Sequence, residues 1–93
     1  MAIGDVVSAL SSISSGSFLT IQPGAGVEWI IHNIYFNDAI EVHVYDGSNS
    51  VRFRTFVDPG IFPWVNFKVT NSRYLRVKAA NVTTLIGYDG VIA

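Results

Sequence analysis

Cysteine is absent from the 93 residues, so no disulfide, thiolate metal centre or Cys nucleophile can be built from them. A small domain without such a staple often gains stability by oligomerising. Charge is scarce too. Only 14% of residues are charged against 49% hydrophobic, and mean hydropathy is +0.38. A chain this short hides only about 60–65% of its unfolded surface. Some apolar surface must then be exposed or covered by a partner, and contiguous exposed patches mark interaction sites. No run approaches the roughly 18–20 apolar residues that a membrane-crossing helix needs, so no membrane partner is expected. The first fifty residues hold no Lys or Arg. The opening MAIGDVVSALSSISSG therefore lacks the basic start of a secretory leader, and the sequon Asn81-Val82-Thr83 has no role without that route.

What is present is unevenly placed. Asp5, Glu28, Asp38, Glu41 and Asp46 precede residue 50, while Arg52, Arg54, Lys68, Arg73, Arg76 and Lys78 follow it. Either separate strands of one sheet carry different signs, or an acidic side of one copy meets a basic side of the next and sets its register. Residues 1–17 stand apart, with serines at 8, 11, 12, 14, 15 and 17. Ile3, Val6, Val7, Leu10 and Ile13 have near-helical spacing, but serine competes for backbone hydrogen bonds. This segment reads as an N-terminal arm, ordered on a neighbour or frayed.

Residues 18–93 read as strands rich in Val, Ile, Phe and Tyr, separated by turn clusters such as Gln22-Pro23-Gly24 and Asp58-Pro59-Gly60. The expected strands are 18–21, 27–36, 40–45, 51–57, 62–70, 74–78 and 84–88. The fold class is all-β: a small antiparallel sandwich of about seven strands, jelly-roll-like or Ig-like. Demanding one apolar face predicts two hairpins. Phe36 pairs with Ile40, Ile34 with Val42 and His32 with Val44 in the first. Val69 pairs with Leu75 and Phe67 with Val77 in the second. The strand 27–36 is apolar on both sides, which predicts cover on both.

Little of this supports chemistry. No nucleophile elbow, phosphate loop or H-E-x-x-H occurs, and no cofactor or catalytic residue is assigned. His32 and His43 fall on opposite faces, and only a register slip would gather them with Glu41 as a metal site. Tyr45-Asp46-Gly47 and Tyr88-Asp89-Gly90 repeat a tripeptide that marks turns or strand ends; the alternative, a duplicated calcium or carbohydrate edge, lacks the ligand spacing of a calcium loop. Val51-Arg52-Phe53-Arg54-Thr55-Phe56 could stack nucleotide bases. The chain is slightly acidic, however, and alternation sends Val51, Phe53 and Val57 inward, so no nucleic-acid partner is expected. Trp64, after a Pro-Gly turn, either closes the core or forms an exposed platform.

Val27-Glu28-Trp29-Ile30-Ile31-His32-Asn33-Ile34-Tyr35, Tyr45-Asp46-Gly47-Ser48-Asn49-Ser50, Val69-Thr70-Asn71-Ser72-Arg73-Tyr74-Leu75-Arg76-Val77 and Gly87-Tyr88-Asp89-Gly90 together resemble the small β-sandwich virion proteins of tailed bacteriophages, the capsid decoration or cement proteins. The resemblance implies a structural protein on the capsid surface, made in the host cytoplasm. It would bind the major capsid protein, as a homo-oligomer and often a trimer, with an arm reaching a neighbour. Interface residues expected on this reading are Val7, Leu10, Trp29, Tyr35, Trp64, Arg73 and Arg76. The alternative is a carbohydrate- or receptor-binding module of a tail fibre, using Trp64 and Tyr88 beside Asp89. A third is a small metal-dependent barrel enzyme using both histidines.

Overall fold

The computed structural model describes residues 3–63 and 65–93. Among them, nine strands form: β1 Val6–Ile13, β2 Phe18–Ile21, β3 Trp29–Phe36, β4 Ile40–Tyr45, β5 Ser50–Phe56, β6 Gly60–Phe62, β7 Phe67–Val69, β8 Tyr74–Ala79 and β9 Thr84–Ile92. They build two antiparallel sheets. One, here sheet A, has the order β1-β9-β3-β6, with β7 also on β3; sheet B runs β2-β8-β4-β5. β6 and β7 are two halves of one edge, interrupted after Phe62 by Pro63 and by Asn66, which takes a positive φ of 46°. Counting them together, the chain changes sheet at every connection except the β4–β5 turn. This is the strand order of a two-sheet jelly roll. An Ig-like order would keep the first two strands in one sheet, and here they lie in different ones.

The sandwich interior is aliphatic. Ile21, Ile31, Ile34, Ile40, Val42, Val69, Leu75, Val77, Ala79 and Ile86 are fully buried, with Phe36 and Tyr88 nearly so. The central strands supply alternate residues to this layer, as pleated strands do, whereas β5 is exposed until its last residue, Phe56. Rings of β5 close over β3, β6 and β7 at one edge of the sandwich. Phe36 and Phe62 flank Phe56 at 5.0 and 5.3 Å, and Phe53 stacks on Phe67 at 6.1 Å.

Three expectations need correcting. Residues 6–13 are no free arm and no helical turn: β1 pairs with β9 over its whole length, from Val6–Val91 to Ile13–Thr84. The two hairpins do not form either. β3 and β4 lie in opposite sheets, as do β7 and β8, so 37–39 and 70–73 are arches across the sandwich. The residues chosen for the apolar face are largely right, because an arch and a hairpin both require the same inward alternation.

β3 is not apolar on two faces in a single register. Ile31 pairs with Gly90 and Asn33 with Asp89, so His32 is an extra, bulged residue. The bulge reverses the alternation. Trp29 and Ile31 point inward before it, Ile34 and Phe36 after it. β5 has a similar break, since Val42 pairs with Arg54 and His43 with Arg52, leaving Phe53 unpaired. Val51 and Val57, expected inside, are 58% and 76% exposed.

Candidate protein-interaction surfaces

Alternation that fills the interior also fixes the two outer faces. On sheet A, cross-strand pairing arranges side chains in rows. Leu10, Gly87, Tyr35 and Ile61 form one row across β1, β9, β3 and β6. Ser8, Asp89 and Asn33 form a polar row beside it, and Val6, Val91, Ile30 and Lys68 form the next. Val6, Leu10, Ile61 and Leu85 are 72%, 64%, 51% and 46% exposed, so apolar side chains stand open on both sides of the polar row.

The floor of that face is held rigidly. Gly87 has no side chain, and the Tyr35 ring lies across it: a Cβ at Gly87 would collide with Tyr35 Cε2 and come within 2.8 Å of the Ala9 carbonyl oxygen. The Tyr35 hydroxyl donates to the Tyr88 carbonyl at 3.2 Å, and Asn33 Nδ2 donates to Asp89 Oδ1 at 2.9 Å. Burial, with Asp89 adding a smaller electrostatic effect, pushes the Tyr35 hydroxyl above its ordinary pKa. Tyr88 is raised as well, by burial first and by Tyr35 second.

Sheet B presents a different outer face. Its rows are Phe18, Lys78, Glu41 and Thr55; then Thr20, Arg76, His43 and Arg52; then Tyr74, Tyr45 and Ser50. The Arg76 guanidinium lies 3.9 Å from the Phe18 ring centre and 4.6 Å from that of Tyr45, a cation–π sandwich. Phe18 meets His43 edge-on at 5.3 Å, and Tyr45 meets Tyr74 likewise at 5.6 Å. His43 Nε2 is 3.2 Å from Glu41 Oε1, and its Nδ1 is 3.3 Å from Ser50 Oγ. A carboxylate only accepts, so Nε2 carries the hydrogen and, in the neutral ring, Nδ1 accepts from the Ser50 hydroxyl. Arg52 Nη1 completes the group, 3.6 Å from Glu41 Oε2.

That serine–histidine–carboxylate string has the elements of a nucleophile relay, but it lies on an open sheet face. Two cavities are formed by other residues. One is an open cleft of about 890 Å3 at an end of the sandwich, between Ile3, Val27, Glu28, Asn71, Ser72 and Ile92. The other, of about 110 Å3, lies between Val44, Tyr45, Asp46, Asn49, Val51 and Arg73. The metal site of His32, His43 and Glu41 does not form. His32 sits on the other sheet and bonds Asn66 Oδ1 at 3.1 Å, and no cluster of three metal-ligating side chains occurs among the described residues.

No protein-family model matches this chain, and no curated protein matches it. The surfaces have to be judged on their own geometry. The expected interface residues do not converge. Val7 is a core residue, 8% exposed and facing inward on β1. Trp29 also faces inward, stacked on Tyr88 at 6.4 Å, with its buried indole N–H unpaired among the described residues. Leu10 and Tyr35 share the outer face of sheet A. Arg76 belongs to the opposite outer face, and Arg73 is in the exposed 70–73 arch, where its N–H donates to Thr70 Oγ1 at 3.1 Å. Trp64 lies outside the described residues.

Charge does not separate into an acidic and a basic side. Glu41 stands among Arg52, Arg76 and Lys78 on sheet B, while Asp89 is at the centre of sheet A and Glu28 bonds Lys68 at 3.0 Å. Sequence reasoning missed Val6, Ile61 and Leu85. Once 6–13 and 84–92 are known to be strands, alternation sets Val6 and Leu85 opposite the buried Val7 and Ile86. Ile61 required knowledge of the β3–β6 pairing.

Proposed function

We propose that this chain is a structural assembly protein, a jelly-roll module that coats a protein shell in the manner of a virion decoration protein. The observation that carries this reading is the open apolar outer face of sheet A, built from Val6, Leu10, Ile61 and Leu85 around the flat Tyr35 ring. β1 is a strand of the sheet itself and so offers no arm to cover that face. A rigid apolar surface costs little entropy to dock, and aromatic and aliphatic side chains at the centre of such a patch supply most binding energy. The partner is the surface of an assembled capsid, and the outer face of sheet B is then left towards solvent.

The tail-fibre alternative has less to stand on. Tyr88, expected beside Asp89 as a sugar platform, is in the core, and Arg76 covers the ring faces of Phe18 and Tyr45.

Co-sedimentation with heads assembled from the major capsid protein of the phage that encodes the chain tests this reading. Saturable binding by the wild-type chain is expected, together with loss of at least about tenfold in affinity for Leu85→Lys, a charge set into an apolar contact. Binding of the wild-type chain to glycans but not to heads would sink the proposal.

A further inference from the structure

A sheet edge is a row of unpaired backbone groups, and proteins protect such edges by shortness, charge, proline or bulges. Three of the four edges here are protected. β2 has four residues and runs into Gln22-Pro23. β5 carries Arg52 and Arg54 and the Phe53 bulge. β6 and β7 are three-residue pieces separated by Pro63, and β7 carries Lys68 at its centre. β1 has none of these devices. Its sequence, VVSALSSI, contains no charge and no proline, and its eight residues pair with β9 without a register shift.

We propose that the free edge of β1 pairs antiparallel with β1 of a second copy about a two-fold axis, so that sheet A runs unbroken through a dimer. The backbone phase allows it. The Ile92 N–H donates to the Asp5 carbonyl at 2.9 Å, which turns that carbonyl towards β9. Alternation in an antiparallel ladder then turns the groups of Val7, Ala9, Ser11 and Ile13 to β9 and those of Val6, Ser8, Leu10 and Ser12 to the free edge. Beyond the β9 ladder, no backbone bond involves those four among the described residues.

A two-fold axis requires a self-complementary strand. With the axis at Ser8, Val6 of each copy faces Leu10 of the other. Two exposed apolar side chains from each copy then meet, with no charge to repel. The Leu10-Gly87-Tyr35-Ile61 row of one copy then runs on into the Val6-Val91-Ile30-Lys68 row of the next, so the outer face of sheet A continues across the axis. The inference rests on the strand edge and not on the shell-coating reading, so either can fail alone. A monomer that binds heads would refute the dimer only.

The test uses the full chain, whose lack of cysteine makes an introduced thiol unique. Light scattering of the wild type should give twice the chain mass. Ser8→Cys should form an intermolecular disulfide under mild oxidation, because facing hydrogen-bonded residues have Cα atoms about 5.5 Å apart, within the range that a disulfide spans. Ser48→Cys, in the β4–β5 turn, should not. Ser8→Pro removes an edge N–H that β9 does not use, and should give a monomer with an unchanged circular dichroism spectrum. Should that variant not fold, Leu10→Lys provides the same reading by weakening the dimer about tenfold or more. A wild-type monomer at all concentrations, a closed trimer, or a dimer indifferent to both Ser8→Pro and Leu10→Lys would overturn the proposal.

Discussion

Replacing Gly90 with alanine should lower the stability of this protein by about 3 kcal/mol, the upper end of what overpacking a tight interior costs. Gly90 lies in β9 between Val7 of β1 and Ile31 of β3, beside the His32 bulge. A Cβ there would collide with the Ile30 carbonyl oxygen and stand 3.0 Å from both the Ile30 carbonyl carbon and Ile31 Cα. All three are backbone atoms, so no side-chain rotation relieves the contact. β3 must move away from β9, and the core residues Ile31 and Ile34 move with it. A domain of this size is stabilised by about 5–14 kcal/mol in total, so the loss is a large fraction. At about 4–8 °C per kcal/mol the melting temperature should fall by roughly 12–24 °C. Urea titration followed by tryptophan fluorescence and thermal melting by circular dichroism both measure it. Gly24→Ala is the control: no atom lies within 4 Å of its Cβ and its φ is ordinary. It should raise stability by about 0.4–1 kcal/mol through the unfolded chain. If Gly90→Ala falls within about 0.5 kcal/mol of wild type, a range typical of surface substitutions, the close β3–β9 approach is wrong.

Three further outcomes are expected. A double-mutant cycle between Arg76→Ala and Phe18→Ala should give a coupling of about 0.5–1 kcal/mol; additivity would mean that the guanidinium does not rest on the ring. Tyr35 and Tyr88 should ionise above the ordinary value of 10.0, and Tyr35→Phe should remove a late step from an ultraviolet pH titration. Because these folded-state pKa values are raised, the associated stability is complete below pH 10.0 and is lost as pH rises through them, so unfolding in base is the linked observation. Asp46 has the opposite sign. The Asn49 and Ser48 N–H groups donate to its Oδ1 at 2.6 and 2.9 Å and hold its carboxyl below the usual 3.8. The order that it gives the β4–β5 turn is present above pH 3.8 and lost as pH falls through the lower folded value. Protection of the Ser48 and Asn49 amides, measured as exchange relative to the unstructured rate at the same pH, should therefore fall in acid, and Asp46→Asn should lessen that dependence.

Sequence alone determined the local content of this protein. Alternation of Val, Ile and Phe with polar residues marked strands at 18–21 and 40–45 with the bounds that the structure has, and it picked Ile34, Phe36, Ile40, Val42, Val69, Leu75 and Val77 as inward-facing. It also limited the chemistry, since cysteine is absent and no nucleophile or phosphate motif occurs. Tertiary structure alone decided who pairs with whom. The short links at 37–39 and 70–73 fit a hairpin and an arch equally well, because both bury the same alternate residues; only the second sheet tells them apart. Bulges at His32 and Phe53 reverse which side chains face outward, and a period-two pattern carries no mark of where its phase slips. Residues 6–13 show the same limit. Serine-rich and without charge, they have little strand propensity of their own, and it is the nine-residue β9, distant in the chain, that makes them a strand.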